Sequence, residues 1–324
     1  MKRSVQSVLS VGIVFALAAS CASAGDRNPA TDWMPEAKVG AFMHFLPGAG
    51  NFDSVERFDV PAVARQLAEA GARYFVFTLG QNSGYMNAPN ATYERIGGFA
   101  PNTRCARRDL PMELAAALKP HGIRLMLYLP CQTPNRDLSA VKAFGVPEEP
   151  LNDDRRIDPV FARKWAEVIR EWSERYGDTI SGWWFDGGYA HIGFNGEIAQ
   201  VYAEAAKRGN PQSVVTFNPG VSLKRWTAAE DYTAGELNDP FTSACEGRWL
   251  DGSQWHVLTY LGQGWGKRDT RHPDAQWTEW AKAVTAAGGC VTFDIGPSYD
   301  APVGTFDAAQ IKQVRAVADA VRPR

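Results

Sequence analysis

Residues 159–187, with the sequence PVFARKWAEVIREWSERYGDTISGWWFDG, contain one helix followed by one strand. In the first part, apolar side chains such as Phe161, Trp165 and Trp172 recur at helical spacing, which predicts an amphipathic helix over residues 159–176. The apolar run at residues 180–185 predicts a strand, because aromatic and β-branched residues are enriched in strands. A helix that leads into an apolar strand is the repeating unit of parallel α/β folds.

The alternation of strand and helix continues along most of the chain. Such strands pair in parallel through right-handed crossovers, and eight of them in about 300 residues favour a closed (β/α)8 TIM barrel. No glycine-rich phosphate turn follows the early strands, which argues against an open dinucleotide-binding sheet. The predicted strands are residues 38–45, 73–79, 124–129, 180–185, 213–217, 231–237, 257–261 and 290–295, the sixth having the weakest pattern. The predicted helices are residues 61–70, 110–120, 159–176, 197–207, 274–287 and 307–321, and a long loop is expected over residues 131–158.

Residues 1–24 have the features of a secretory signal peptide. The positive pair Lys2-Arg3 precedes an apolar run over residues 8–19 that is too short to span a bilayer. Ala22-Ser23-Ala24 then matches the small-residue pattern of a cleavage site. We therefore expect residues 25–324 to form one exported barrel domain, periplasmic or extracellular.

The bulk composition excludes several classes of partner. A formal net charge of −2 gives no electrostatic reason to bind nucleic acid. After the N-terminal region no segment reaches the roughly 18 apolar residues of a membrane helix. The chain has five His and no H-E-x-x-H motif, so we predict neither a metal nor a cofactor. The 11 Trp suit a carbohydrate substrate and core packing equally well.

Removal of the signal peptide would leave cysteines at positions 105, 131, 245 and 290. An even number in an exported protein permits disulfides, and a Cys105–Cys131 pair is one possibility. Cys290 lies in a strand-like run and is expected to be a small core residue. Cys21 is a possible lipid anchor, because residues 18–21 resemble a lipobox without its usual first leucine.

Polar side chains lie at the ends of the predicted strands, where a barrel fold places its active site. Asp186 follows the fourth strand, Glu236 lies in the sixth, and His44 is near the end of the first. Trp183 and Trp184 must point to opposite faces of the fourth strand, so one is expected to face the helices and the other the barrel interior. Cleavage of a glycosidic bond needs two carboxyl groups, and this inventory also offers hydrogen-bonding and aromatic side chains for a sugar. We therefore favour a glycoside hydrolase.

Several stretches match the motifs of one known family in order and in spacing. Trp184-Phe185-Asp186-Gly187 is similar to a W-F-D-G nucleophile motif, and residues 288–297 are similar to G-G-N-L-L-L-N-I-G-P. Asp231-Tyr232-Thr233 followed by Glu236 resembles D-[YF]-x-T-x-E, and residues 69–78 are similar to that family's second strand. Over most of its predicted mature length the chain thus resembles glycoside hydrolase family 29, the α-L-fucosidases.

The resemblance implies a retaining exo-glycosidase that hydrolyses terminal α-L-fucose or a related sugar through a covalent glycosyl-enzyme. Asp186 would be the nucleophile and Glu236 the acid/base. Glu246 competes for the acid/base role, because it lies in the same loop region. The implied substrate-binding residues are His44, Gln81, Asn82, Trp184, Asn218 and Trp265.

One stretch departs from the family pattern where the sugar is contacted. The family's second strand typically ends in His-His-Asp-Gly-Phe, whereas this chain has Gln81-Asn82-Ser83-Gly84-Tyr85. Amides exchange hydrogen bonds with a sugar but carry no charge and do not titrate. The identity of the sugar is therefore open, and a carbohydrate-binding barrel without turnover is the alternative function. A barrel hydrolase that acts on another bond, such as an amide, is a third reading without a visible nucleophile–base pair.

Overall fold

The computed structural model describes residues 27–48, 52–149 and 154–322, so the predicted signal peptide and Cys21 lie outside the described residues. The strands are β1 (Val39–Met43), β2 (Tyr74–Thr78), β3 (Arg124–Pro130), β4 (Ile180–Asp186), β5 (Val214–Phe217), β6 (Trp249–Leu250), β7 (Ser253–Gln254), β8 (His256–Tyr260) and β9 (Cys290–Asp294). Seven of them form a parallel sheet in the order β5-β4-β3-β2-β1-β9-β8, and β6 pairs with β7 as a small antiparallel hairpin. The main architecture is therefore an α/β fold.

Ten α-helices connect the strands within the described ranges. Seven of them begin after an Asp or Asn whose side chain accepts a hydrogen bond from the first turn, which satisfies N–H groups that have no partner inside the helix. The helices are α1 (Trp33–Ala37), α2 (Asp53–Glu56), α3 (Val60–Ala70), α4 (Ala91–Gly97), α5 (Leu110–Leu118), α6 (Leu138–Phe144), α7 (Pro159–Tyr176), α8 (Gly196–Ala206), α9 (Asp274–Ala286) and α10 (Ala308–Val321).

Most of the predicted elements are confirmed to within one or two residues. The helix predicted over residues 159–176 is α7, and the strand after it extends one residue further, to Asp186. Helix α9 ends where two glycines follow it, and Gly288 adopts a φ of 88°. Because glycine reaches this left-handed conformation without a steric cost, it commonly ends helices in this way.

The strand predicted over residues 231–237 is wrong. This segment is irregular and forms no continuous ladder with its neighbours; two isolated bridges pair Tyr232 with Gln254 of β7 and Glu236 with Leu258 of β8. The main sheet therefore contains seven strands in the described part of the chain, where eight were expected.

Two carboxylates explain why residues 231–237, hereafter the bridging segment, do not pair with β5 as a strand. The backbone N–H of Val215 donates to Asp231 Oδ2 at 2.8 Å, and that of Phe217 donates to Glu230 Oε1 at 3.0 Å. Side chains thus occupy two β5 donors that a neighbouring strand would use. Gly235, with a φ of 61°, further interrupts the extended backbone.

The loop predicted over residues 131–158 is also wrong in part, because it contains helix α6. Asp137 caps this helix, and Ala140, Val141 and Phe144 are buried on one side of it. Their spacing of one and then three residues is helical, so the pattern was present in the sequence.

The two faces of the main sheet pack into two buried clusters. On β4, Trp183 and Phe185 belong to the cluster shared with the surrounding helices, whereas Trp184 belongs to an inner cluster with Phe42 and Tyr128. This confirms that the two neighbouring tryptophans face opposite sides. Since side chains alternate along a strand, Asp186 at the end of β4 shares the inner face with Trp184.

All four cysteines of the described chain are free thiols, so the suggested Cys105–Cys131 disulfide is wrong. Cys290 is buried in β9, which confirms its expected place in the core. Within the described residues, no helix combines the length and the apolar character needed to cross a membrane.

Candidate active site

Asp186 lies at the carboxyl end of β4 with its side chain held by three donors. The Tyr128 hydroxyl donates to Oδ2 at 2.7 Å, while the Gly187 N–H and Asn218 Nδ2 donate to Oδ1 at 2.8 and 2.9 Å. Tyr128 is the register partner of Trp184 on β3, so the same inward face carries both the carboxylate and its hydroxyl donor. The carboxyl group of Asp186 is consequently fixed in orientation.

Asn218 follows β5 and joins the two candidate carboxylates. Its Nδ2 donates to Asp186 and also makes a short contact with Glu236 Oε2. The Gly220 N–H donates to Asn218 Oδ1 at 3.2 Å, which assigns the oxygen and nitrogen of this amide. The two protons of one NH2 group thus reach two acceptors, and Asn218 sets the spacing between Asp186 and Glu236.

Glu236 lies in the bridging segment, opposite Leu258 of β8. Burial raises the pKa of its carboxyl group, and the nearby charge of Asp186 raises it further. The hydrogen bond from Asn218 and the proximity of His44 act in the opposite direction, and the pKa is about 7. A carboxyl group with this pKa can both donate and accept a proton near neutral pH.

His44, which follows β1, and Asp294, which ends β9, form a second polar pair at the candidate site. His44 Nδ1 lies 3.0 Å from Asp294 Oδ1, and Asp294 Oδ2 accepts the Gly266 N–H at 2.5 Å. Burial lowers the pKa of His44, but the charge and hydrogen bond of Asp294, together with the charges of Asp186 and Glu236, outweigh burial, and the pKa is raised overall. Because Asp294 engages Nδ1, a ligand would have to bind His44 through Nε2.

A cavity of about 270 Å³ opens over these groups. Among its lining residues are six that the sequence predicted: His44, Gln81, Trp184, Asp186, Glu236 and Trp265. The Trp265 ring packs edge-on against His44 at 5.7 Å and Tyr260 at 4.9 Å, which fixes one wall. Gln81 Nε2 donates to the Tyr128 hydroxyl at 2.8 Å and so extends the chain of donors that ends at Asp186.

Two predicted residues lie elsewhere. Asn82 lines a neighbouring cavity, because its side chain lies beyond Gln81 on the loop after β2. Glu246 is exposed and is not among the residues that line the Asp186 cavity, so the geometry brings Glu236 and not Glu246 to Asp186. Asn218 contacts both carboxylates from the side, without lining the cavity.

Four further residues belong to this site and were not predicted from the sequence: Tyr128, Tyr189, Leu46 and Leu258. Tyr189, Leu46 and Leu258 line the cavity, and Tyr128 binds Asp186. Strand alternation could have identified Tyr128, which follows Met126 by two residues on the inner face of β3. Tyr189 and Leu46 lie in irregular loops, where no periodic signal points to them.

Within the described residues, no group of three or more His, Cys, Asp or Glu side chains is arranged to hold a metal ion. The site therefore offers two carboxyl groups that are both bound by one amide, and a histidine and aromatic rings line the same cavity.

The fold and the site together define an α/β protein with one carboxyl group at the end of a parallel strand, Asp186, and a second, Glu236, brought next to it by the bridging segment. A family model described as Alpha-L-fucosidase matches residues 48–322, which is most of the chain. The protein therefore belongs to the alpha-L-fucosidase family. No curated protein sequence matches this chain.

Solved structures with a similar fold include two groups of glycoside hydrolases. The endo-fucoidan hydrolase MfFcnA4 of glycoside hydrolase family 107 superposes with a TM-score of 0.69 at 19% identity, over 89% of this chain and 53% of that one. Another member of family 107, P5AFcnA, has a TM-score of 0.68 at 13% identity, over 91% and 93% of the two chains. The GH29 alpha-L-fucosidase from Bacteroides thetaiotaomicron, trapped as a covalent intermediate, has a TM-score of 0.62 at 18% identity, over 90% and 74%.

At these identities the likeness shows a shared fold alone. This chain spans about half the length of the first of these relatives.

Proposed function

We propose that this protein is a retaining exo-glycosidase that hydrolyses terminal α-L-fucose, or a related sugar, through a covalent glycosyl-enzyme. Its membership of the alpha-L-fucosidase family supports a fucose-processing glycosidase. The observation that carries the mechanism is the single Asn218 nitrogen in contact with both Asp186 and Glu236.

That contact limits the distance between the two carboxyl groups. Two oxygens that each lie within about 3 Å of the same atom are at most about 6 Å from one another. Retaining glycosidases hold their carboxyl groups about 5–5.5 Å apart, whereas inverting ones need roughly 6.5–9.5 Å to admit a water molecule. The geometry at Asn218 therefore favours retention.

In the first step, an Asp186 oxygen bonds to the anomeric carbon while the bond from that carbon to the leaving oxygen breaks. Glu236 gives its proton to the leaving oxygen. In the second step, water attacks the same carbon, Glu236 takes a proton from the water, and the bond to Asp186 breaks. The raised pKa of Glu236 suits it to both proton transfers.

The size of the cavity supports exo action. At about 270 Å³ it lies below the roughly 300–1,000 Å³ typical of sites for drug-sized ligands, and a single sugar ring is the matching occupant. His44, Gln81 and Trp265 would contact hydroxyls and the apolar face of that ring.

We also propose that the sheet closes as a (β/α)8 barrel with the bridging segment in the sixth position. Asp231 N donates to Val215 O of β5 at 2.9 Å, and Leu258 N of β8 donates to Gly235 O at 2.8 Å. These bonds tie the bridging segment to both edges of the sheet. From the signal-like N-terminus, we propose that the protein is exported and that residues 25–324 form one domain.

The test is hydrolysis of an aryl α-L-fucoside, compared with an aryl β-D-galactoside and an aryl α-L-arabinoside, with the first-formed anomer followed by NMR. We expect cleavage of the fucoside and an α-configured first product. A β-configured first product would contradict the two-step mechanism. Sugar binding without cleavage of any member of the panel would identify a carbohydrate-binding barrel in place of an enzyme.

A further inference from the structure

A second cavity, of about 670 Å³, lies beside the one over Asp186. Leu46 and Gln81 line both cavities, so these two side chains form the wall between them. The rest of the second cavity is built by the loops that follow β1, β2 and β3. It therefore adjoins the candidate active site at Leu46 and Gln81.

That side lies away from the acid/base. Glu236 is in the bridging segment between β5 and β8, whereas the second cavity is next to β1, β2 and β3. If the proposed function holds, the anomeric carbon must lie near both Asp186 and Glu236. The C3–C4 edge of the sugar then points the opposite way, toward His44 and Gln81 and the second cavity beyond them.

The charges around the second cavity do not cancel. Asp137 binds Arg104 Nε through Oδ2 at 2.6 Å, and its Oδ1 accepts the N–H groups of Ser139 and Ala140 at the start of α6. Arg104 also lies over the Tyr85 ring, at 4.9 Å. Asp137 and Arg104 are thus committed to each other and to the framework of the loops.

Arg136 is the third charged residue at the second cavity, and the ion pair between Arg104 and Asp137 does not neutralise it. Its side chain is exposed and forms no ion pair with any described residue. Its backbone N–H donates to Asn82 O at 2.8 Å, which anchors Arg136 to the loop after β2 at the cavity wall. An available guanidinium presents several N–H donors in a planar fork that matches an oxyanion.

We propose that the second cavity binds an anionic group, either a sulfate ester or a carboxylate, that the substrate carries beyond the C3–C4 edge of the sugar under cleavage. Arg136 supplies the charge, and Gln81 separates the anionic group from the cleaved ring. The orientation of the substrate rests on the proposed function, whereas the affinity of the cavity for an anion does not.

The experiment compares three aryl α-L-fucosides: unsubstituted, sulfated at O3 or O4, and carrying a carboxymethyl ether at O3 or O4, so that the fucose remains the terminal sugar in all three. We expect a higher kcat/KM for at least one anionic substrate than for the neutral one, and the preferred anion identifies the source of the charge. In R136A the ratio of anionic to neutral kcat/KM falls roughly tenfold, mainly through KM, and R136K retains part of it. The preference weakens with added salt, because Arg136 is exposed.

R163A is the matched control. Arg163 is an exposed arginine on α7, in a surface groove toward α8, and its removal changes the net charge by the same amount without touching either cavity. The ratio is expected to stay constant in R163A. An equal fall in R136A and R163A would mean a general charge effect and would overturn the subsite.

A binding measurement separates this proposal from the proposed function. Calorimetry with L-fucose and its 3-O- and 4-O-sulfates needs no turnover. Binding of a sulfate that weakens in R136A but not in R163A supports the anionic subsite even if no glycoside is cleaved. Cleavage of the neutral fucoside with no preference for any anion, in kinetics or in binding, overturns the subsite and leaves the glycosidase intact.

Discussion

The two carboxyl groups at the mouth are held by different kinds of structure. Asp186 ends β4, which is paired with β3 on one side and β5 on the other, and three donors orient its side chain. Glu236 lies in the bridging segment, which meets its neighbours through a few backbone hydrogen bonds. One carboxyl group is therefore part of a regular sheet and the other is part of an irregular connection.

This difference matches the two roles that the proposed mechanism needs. A nucleophile must meet one carbon atom in a fixed geometry, which a hydrogen-bonded strand end provides. An acid/base must hold a proton and then lose it, which requires a shifted pKa more than a rigid frame. Burial and the neighbouring Asp186 supply that shift at Glu236.

The greatest loss of activity is expected when Asp186, at the end of the regular strand β4, is changed. D186N is expected to lower kcat on an aryl α-L-fucoside by roughly 10⁴-fold or more, because the amide cannot form the glycosyl-enzyme. In D186A, added azide should restore turnover and give a fucosyl azide of inverted configuration, which NMR detects. An unchanged rate in D186N, with an unchanged thermal unfolding curve, would contradict the nucleophile assignment.

The next greatest loss of activity is expected at Glu236 in the bridging segment. E236Q is expected to lower kcat by roughly 10²–10⁴-fold on substrates with a poor leaving group, because the leaving oxygen is no longer protonated. The loss in the first step should shrink with a nitrophenyl leaving group, which departs without a proton. E246Q is the matched control, an exposed glutamate ten residues away, and should retain full activity. The reverse outcome would give the acid/base role to Glu246.

A smaller effect is expected from the donor that orients Asp186. Y128F removes the hydroxyl bound to Asp186 Oδ2 and should lower kcat/KM roughly 10- to 100-fold. Tyr202 is as buried as Tyr128, but its hydroxyl donates to Cys131 O at 2.9 Å. Y202F is therefore the control for loss of a buried hydroxyl. Equal kinetic losses in the two variants would argue that Tyr128 acts only on stability.

The smallest effect is a displacement of the pH profile. The first step requires the proton on Glu236, so kcat/KM of the wild type should fall as the pH rises through about 7. Asn218 lowers the pKa of Glu236, and its removal in N218A should therefore move this fall to higher pH. The profile is measured with each activity normalised to its own maximum. A fall that stays at the same pH would mean that Asn218 does not influence the proton on Glu236.

The regular side of the molecule was predictable from sequence, and the reason is local. The spacing of apolar residues predicts helix α7 and strand β4, and the alternation of Trp183 and Trp184 assigns the two faces of the strand. Once the face of Trp184 is known, Asp186 two residues later must point into the mouth. The nucleophile candidate therefore needed no information from distant parts of the chain.

The irregular side was not predictable in the same way. Residues 231–237 have a strand-like composition, but Glu230 and Asp231 use their side chains to bind backbone N–H groups of β5. Nothing in the local pattern distinguishes a carboxylate that competes for a strand edge from one that is exposed to solvent. The expected eighth strand failed because tertiary contacts outweighed local propensity.

Local patterns in the amino-acid sequence were enough to predict the alternation of strands and helices, the inward direction of Asp186, and the departure from the family at Gln81 and Asn82. The folded structure was needed to show that Glu236 and not Glu246 lies next to Asp186, that Asn218 sets their spacing, and that Arg136 lies beside a second cavity. The difference lies in the range of the interactions. Periodicity encodes which way a side chain points within one element, whereas the partners of a side chain depend on loops that come together only when the sheet has formed.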